Sequence, residues 1–533
     1  MSAAPSTGRN FDATHPPAGT RRWRVVNRPR GSSTLESGLG LEIPFPGALL
    51  KLLLWPAIAS ALVGMAVFLS YPAATWQNLA GAVAVDCGGT VVLLIWLGRT
   101  AEGKLAVNPL TGMLGLYALR RLLGLIYVVG QGSSLSSPFS VVPAGAYIAA
   151  SAKAEWVTLV GSAAFCVGWV VGQRRQWMGR ITAPPKKHFD RQLWVVYFIG
   201  LVFFLADWLS RGALSQLGNF ITITSGLAYG AIFALLAFSR DYGVRGRLRM
   251  ITYAALIPLM ANVLTHGMKS TFFLALLPVG AAYLLRKPGR GLALSALGVL
   301  FLLVFVYPYV QEYREANWGN APGASVGQVA EKVQQNLAQE GVKGTVQESW
   351  EEFELRFGSV NEAGAVIYFA DSTGLMGSFF IKNLIYGFIP RLIWPGKPSW
   401  DPSGWFTAYL AGESSYTPGI TSTALHIGPE LYWMYGWPGT FFGLLLLGFY
   451  YRKVSDWLLK KGHTNPLFLA AWYSFLVFVT FIEEVRYNGA ILSPFILLAN
   501  ALVISWGLKL LLPRPPAWRS RKVLRMGEAT ERL

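Results

Sequence analysis

Residues 386–400 read YGFIPRLIWPGKPSW and residues 426–439 read HIGPELYWMYGWPG, the second running directly into TFFGLLLLG at 440–448. Prolines, glycines and tryptophans punctuate both stretches, and the apolar tail with its flanks is long enough to cross a bilayer. Arg391, Lys397, His426 and Glu430 are thereby placed at the edge of a membrane-spanning segment. Cations and a carboxylate at such a boundary point to a site for an anionic, lipid-linked substrate.

The rest of the chain supports a membrane setting. Hydrophobic residues make up 53% of the 533 and charged residues only 14%, with a mean hydropathy of +0.40, a balance rarely met in soluble enzymes. Apolar runs of about 20 residues, enough for a ~30 Å hydrocarbon layer, recur at 48–70, 79–98, 106–130, 154–173, 192–208, 219–239, 250–267, 270–285, 291–310, 430–450, 464–483 and 489–511. The fold class expected is an all-α polytopic membrane protein with about twelve transmembrane helices. The domain plan is a basic, disordered tail at 1–47, a transmembrane region at 48–310, a large outer loop at 311–429, C-terminal transmembrane helices at 430–511 and a basic tail at 512–533.

The net charge of +19 raises the question of nucleic acid, and its distribution answers it. With the N-terminus inside, 33 of the 46 Lys and Arg residues fall in the inner segments, and the short outer loops hold only Lys153, Arg211, Lys269 and Arg486. That asymmetry is the positive-inside rule at work, supplemented by attraction to anionic headgroups. No nucleic-acid-binding pattern accompanies it. Both termini are expected in the cytoplasm, and no cleavable signal peptide precedes the first run. Cys87 and Cys166 fall in separate predicted spans, which disfavours a disulfide and excludes a cysteine-built metal site.

Two capping boxes mark helices in the outer loop. Ser325 with Gln328 opens one whose apolar stripe is Val326, Val329, Val333 and Leu337. Thr345 with Glu348 opens another, with Val346, Trp350, Phe353 and Phe357 on one face and Gly358 as its stop. Residues 375–389 are apolar but short for a span and read as an interfacial or re-entrant helix. Between Glu312 and Asp371 ten acids face four bases, whereas Lys382 to Lys397 holds three bases and no acid. A solvated acidic region followed by a cationic corner is the expectation.

FIPRLIWPGKPSW resembles the Pro-Arg-(apolar)-(apolar)-Trp-Pro-x-Lys-Pro signature of bacterial O-antigen and exopolysaccharide repeat-unit polymerases of the Wzy type. GPELYWMYGWPGTFFGLLLLG is similar to the Glu-x-Tyr and Gly-x-x-Gly pattern that leads into the following helix in those families. THGMKSTFFLALL looks like their short outer turn, with Lys269 where Arg is more usual. The resemblance covers residues 380–450 and that turn; elsewhere it rests on topology. It implies a GT-C-like membrane glycosyltransferase of the bacterial inner membrane. Such an enzyme would move a growing glycan from undecaprenyl pyrophosphate onto another lipid-linked oligosaccharide repeat at the periplasmic face, beside membrane lipids. It leaves room for a chain-length regulator and a flippase as partners. O-antigen ligases share the architecture, including a His before a late helix, so His426 keeps a ligase as the alternative.

A glycosyl pyrophosphate is already activated, so the protein must hold the departing diphosphate and accept the proton of the attacking hydroxyl. Arg391 suits the first task because a guanidinium grips phosphate bidentately and stays charged; Lys397, Lys269 and Arg120 are further candidates for pyrophosphate. The same residues could instead anchor the loop to headgroups. His426 and Glu430, four apart, are the candidate bases, with backbone hydrogen bonding and an ion pair as their ordinary alternatives. Arg120 and Arg121 lie deep inside a run, where charges face a cavity or a partner, and Asp86 at similar depth is a possible partner. Glu483, Glu484 and Arg486 are expected to pair among themselves. No acid stands in the first outer loop, and no Asp-x-Asp, P-loop or HExxH occurs, so a metal-independent mechanism with no cofactor is favoured. A transporter or flippase is the rival from another class, weakened by the lack of internal repeats.

Overall fold

The computed structural model describes residues 42–43, 47–99, 105–139, 141–173, 189–210, 218–237, 246–260, 269–317, 325–357, 360–377, 379–389, 394, 396–397, 402–410, 425–462 and 465–511. The expectations for both tails lie outside them, apart from Glu42–Ile43, which form a strand where disorder was expected, and Gly47, which opens α1. Nearly everything described is helical. The extended exception is an antiparallel ladder of β1 (Glu42–Ile43) with β2 (Leu105–Ala106).

The helices, in chain order, are α1 (Gly47–Ser70), α2 (Trp76–Gly98), α3 (Pro109–Gln131), α4 (Ala144–Val171), α5 (Phe189–Ser210), α6 (Gly218–Ala237), α7 (Gly246–Ala254), α8 (Lys269–Arg286), α9 (Pro288–Phe301), α10 (Tyr307–Asn317), α11 (Val326–Phe357), α12 (Val360–Thr373), α13 (Phe379–Phe388), α14 (Pro402–Leu410), α15 (Ile427–Gly462), α16 (Pro466–Thr480) and α17 (Tyr487–Leu511). A π-helical turn at Leu302–Val306 joins α9 to α10.

Seven helices among the described residues are long and apolar enough to cross a membrane, and they fall on seven of the twelve apolar runs. Four other runs form shorter apolar helices, at Arg191–Ala206, Arg249–Met260, Leu274–Leu285 and Pro466–Thr480. The twelfth, 430–450, is interrupted. α1 shows what surrounds the bundle. Leu52, Trp55, Leu62 and Leu69 stay exposed on it, as suits a helix facing hydrocarbon.

Inside the bundle, lipid tails are as apolar as leucine, so helices associate through close packing rather than through water exclusion. α4 and α15 illustrate this. A methyl at Gly168 would stand 1.9 Å from the Leu445 carbonyl oxygen, and one at Gly448 would stand 2.1 Å from that of Phe165. The two backbones touch at both glycines, and alanine at either would force them apart.

The 311–429 region departs from a solvated loop. Its first capping box forms as expected: Gln328 N–H donates to Ser325 Oγ at 3.3 Å, and Ser325 N–H donates to Gln328 Oε1 at 2.8 Å. Val329 and Val333 of the stripe are buried against Leu123, Leu303 and Tyr307, while Val326 stays exposed. The break between the two helices falls at Gly341 (φ 70°) rather than at Thr345, and α11 ends at Phe357. α12 was expected in the solvated acidic region, yet Ala363, Val366, Ile367 and Ala370 are buried in one cluster with Tyr147 and Val157 of α4. Its alternating small and branched residues form a core-facing stripe that the flanking acids obscure. α13 lays Gly387 and Phe388 against Leu492 and Phe495 of α17 and exposes Ile385, as an apolar helix at an interface would.

Candidate functional site: a buried charge node beside a helical hairpin

Three helices contribute charged side chains near their midpoints. Asp86 comes from α2, Arg120 and Arg121 from α3, and Glu155 from α4, each 1% exposed or less. A fourth segment, the connector between α16 and α17, brings Glu483. Arg121 binds all three acids. Its Nε is 2.9 Å from Asp86 Oδ2, Nη1 is 3.0 Å from Glu155 Oε1, and Nη2 is 2.6 Å from Glu483 Oε1. Arg120 Nη1 donates to Glu483 Oε2 at 3.2 Å. Thr90, one turn along α2, donates to Asp86 Oδ1 at 3.3 Å.

The expected pairing of Asp86 with one of the two arginines is present. Adjacent arginines diverge by about 100° on a helix, yet both reach Glu483 because the connector lies across the end of both side chains. Arg120 is thus enclosed with a carboxylate and sealed from solvent, whereas a pyrophosphate ligand would have to reach it from the surface. Glu483 turns inward to this node, in place of the expected grouping with Glu484 and Arg486. Glu155 was missed by sequence reading, because α4 begins ten residues ahead of the 154–173 run and carries that acid into its middle. Lys153, counted as an outer-loop cation, lies in α4 too and pairs with Asp371 of α12 at 2.7 Å.

Next to the node the chain folds into a helical hairpin. α15 breaks at Tyr435 and Gly436, the latter at φ 65°, and Pro438 removes a donor just beyond. The limbs run back along each other: Thr440 Oγ1 donates to the Gly428 carbonyl at 3.4 Å, and a methyl at Gly439 would stand 2.6 Å from the Leu431 carbonyl oxygen. Carbonyls released at the tip find partners, for Met376 N–H donates to Trp433 O and Gly377 N–H to Met434 O, both at 3.0 Å. The span expected at 430–450 therefore starts only after this tip. The GWPG sequence at 436–439 is the turn, and unbroken hydropathy had concealed it.

The inner end of the short limb carries His426 and Glu430. His426 holds φ 55°, a left-handed conformation that costs a residue with a Cβ roughly 1–2 kcal/mol. Its ring is 4% exposed, neither ring nitrogen has a hydrogen-bond partner, and Nδ1 lies 4.0 Å from Glu483 Oε1. The His426 carbonyl accepts from Glu430 N–H at 2.8 Å and so starts the helix. Glu430 Oε2 in turn accepts from Tyr487 N–H at 2.6 Å. It caps the first turn of α17, where a carboxylate is stabilised by the helix N-terminus. The expectation of one shared face is replaced by a division of labour. Glu430 fixes α17, and His426 is left facing the node.

A cavity of about 20 Å³ adjoins this corner, lined among others by Tyr117, Thr158, Ser162, Gly428 and Glu483. It has room for one water and nothing larger. Ser162 Oγ, buried on its wall, has no hydrogen-bond partner.

The remaining candidates lie apart from the node. Arg391 is outside the described residues. Lys397 donates from Nζ to the carbonyls of Tyr386 and Ile389 at 3.1 and 3.0 Å, so it closes the C-terminal end of α13, where a cation is favoured. Lys269 starts α8, and its side chain is outside what is described. Cys87 and Cys166 are buried free thiols. No group of three or more His, Cys, Asp or Glu suited to a metal occurs among the described residues.

No curated protein and no solved structure gives a match to this chain. A family model does, over residues 130–460, which include α4, Glu155, the helices of residues 311–429 and the whole hairpin but leave Asp86, Arg120, Arg121 and Glu483 outside. With more than half its length so matched, the chain belongs to the family described as Domain of unknown function (DUF8712).

Proposed function

We propose that this protein is a metal-independent glycosyltransferase of the bacterial inner membrane, with the 311–429 region on the periplasmic side. It transfers a growing glycan from undecaprenyl pyrophosphate to a second lipid-linked oligosaccharide repeat. The glycosyl–phosphate C–O bond breaks, a glycosidic C–O bond forms, and undecaprenyl pyrophosphate leaves. The hydroxyl proton of the acceptor passes to His426. Arg391 grips the departing diphosphate, and Glu483 steadies the imidazolium that forms. The observation that carries this reading is His426 itself. A buried imidazole in a strained backbone conformation, unpartnered and beside a carboxylate, is expensive for a fold to keep unless it performs chemistry. The polymerase-like PRLIWPGKP stretch supports the substrate class.

One observation favours a second reading. A re-entrant helical hairpin whose inner end meets charges at mid-helix depth is also how transporters build substrate sites. Deletion of the gene separates the two. Surface polysaccharide that retains one repeat but loses its ladder fits the polymerase, and loss of all attached glycan fits a ligase or flippase. His426→Gln and Arg391→Lys at wild-type membrane abundance should each reproduce the loss of the ladder. A transition-state contact of this kind is worth ~2.7–4 kcal/mol, about a hundred- to a thousand-fold in rate. A normal ladder in both variants would overturn the assignment.

A further inference from the structure

A second charged group stands on the other side of α4, and it is open. Lys153 precedes Glu155 by two residues, about 3 Å along the helix axis and about 200° around it. One helix thus buries an acid in the node and exposes a base at nearly the same level. The Lys153 side chain is 34% exposed and that of its partner Asp371 43% exposed. Hydrocarbon does not tolerate an accessible ion pair at the depth of a buried charge node, and such charges face water-filled cavities. The pair therefore calls for an aqueous crevice on this face of α4, away from the headgroups.

The group has a definite chemistry. Lys153 Nζ donates to Asp371 Oδ1 and Oδ2 at 2.9 and 2.7 Å. Tyr432, on the short limb of the hairpin, donates from its hydroxyl to Asp371 Oδ1 at 3.0 Å, and the ammonium stands 4.8 Å from the centre of its ring. Charge is balanced within the trio, yet bonding capacity remains among the described residues. The ammonium has a third hydrogen, and the carboxylate and the phenol keep lone pairs. Donors and acceptors without net charge suit neutral hydroxyls, whereas a phosphate is held by surplus cation. Trp437 extends the surface. Its ring centre is 5.7 Å from that of Tyr432 at 83°, and at 40% exposure it offers an apolar plate to the C–H face of a sugar ring. Buried rings hold the walls in place. Phe369, two residues before Asp371, lies 5.1 Å from Trp433, the neighbour of Tyr432, and 4.5 Å from Tyr409 of α14. Such pre-organisation lowers the cost of binding.

We propose that Lys153, Asp371, Tyr432 and Trp437 form a saccharide-binding subsite, in which the polar trio takes sugar hydroxyls and the indole stacks on the ring. The subsite rests on the glycosyltransferase reading for which glycan it holds. Tyr432 comes five residues after Ile427, where the short limb begins, so about 7.5 Å of helix separates it from the His426 end. A short oligosaccharide bridges that distance. The subsite holds units of the glycan whose reacting end lies at His426, and no bond forms or breaks at the subsite itself. Its four side chains are positioning residues.

Binding can be measured without turnover. The probe is the oligosaccharide repeat of the cell's own surface polysaccharide, freed of lipid by mild acid. It is added to full-length protein in phosphatidylcholine nanodiscs and followed by saturation-transfer NMR. Wild type should saturate the sugar C–H protons. Trp437→Leu and Asp371→Asn should each weaken binding about tenfold, the factor that loss of one charge-assisted contact implies. In glycan transfer both should raise KM and leave kcat unchanged, as loss of uniform binding does. Trp506→Leu, at an exposed ring on α17, is the control and should change neither. Where Asp371→Asn yields too little folded protein, Trp437→Leu decides, because it touches no ion pair. Absence of binding by wild type, or wild-type affinity in a folded Trp437 or Asp371 variant, overturns the subsite. So does a loss of co-purified phosphatidylethanolamine from the variants at unchanged glycan affinity, which would give the pair to a lipid headgroup. A ladder that survives gene deletion would remove the glycosyltransferase and leave measured glycan binding standing, whereas unchanged affinity in the variants removes the subsite alone.

Discussion

The charge node and the hairpin beside it solve the problem of buried polarity in opposite ways. In the node, five charged side chains from four segments meet one another. In the hairpin, the carbonyls at the tip are met by backbone N–H groups, Glu430 caps the neighbouring α17, and the imidazole of His426 is left without a hydrogen bond. Interlocked charges resist change, because each depends on partners carried by other helices. The unmet imidazole has freedom to gain or lose a proton. The node therefore acts as the fixed reference against which the hairpin presents its histidine.

The largest expected effect breaks the node. Arg121→Met removes the one cation common to three acids, and loss of one partner in a buried ion pair typically costs ~3–5 kcal/mol. Folded protein recovered from membranes should fall severely, with a large drop in melting temperature in detergent. Glu155→Gln, which keeps an oxygen acceptor for Arg121 in a side chain of the same shape and leaves Asp86 and Glu483 in place, should be milder. Equal damage from the two would mean that bulk at this crossing matters and charge does not.

A smaller effect tests the hairpin's carboxylate. Glu430→Ala strips the acceptor from Tyr487 N–H and leaves a buried donor unmet, a cost of about 1–3 kcal/mol. Glu430→Gln keeps an acceptor at the same place and should recover most of that stability together with the polysaccharide ladder. A Gln variant that is stable yet has no ladder would return Glu430 to the role of base.

Much of this arrangement was legible in the sequence, and the failures have physical causes. Seven of the twelve apolar runs coincide with helices long enough to span and four with shorter apolar helices, because hydropathy over about 20 residues is a strong signal. The capping box at Ser325 and the pairing of Asp86 with an arginine followed from local chemistry and from the cost of a lone charge in hydrocarbon. Hydropathy has no term for direction, however, and so the reversal at Tyr435–Gly436 passed for a continuous span. Charge counting mistook α12 for a solvated helix, since its acids flank a stripe of alanines and branched residues that pack on α4. Glu483 was invisible as a node residue because its partners are more than 300 positions away, and only the folded connector brings them together.

His426 offers a test in which stability and function should move in opposite directions. Glycine adopts φ 55° without the penalty a Cβ brings. His426→Gly should therefore relieve backbone strain on the order of 1 kcal/mol and raise the melting temperature, while the ladder is lost. A variant that loses the ladder and stability together would make His426 a packing residue.

The smallest effect concerns Lys397, which sequence reading assigned to pyrophosphate and the fold gives to the end of α13. Its ammonium satisfies two carbonyls there, and a cation at a helix C-terminus is worth about 0.3–1 kcal/mol. Lys397→Met should cost that much and reduce polymer by no more than about fivefold, the factor equivalent to that energy. Lys397→Arg, which keeps the charge and several donors, should restore it. A loss from Met as deep as that from Arg391→Lys, without a matching fall in stability, would show that the ammonium leaves the carbonyls to meet the phosphate. Helix closure predicts the reverse order, with stability moving first and polymer following only as far as α13 loosens.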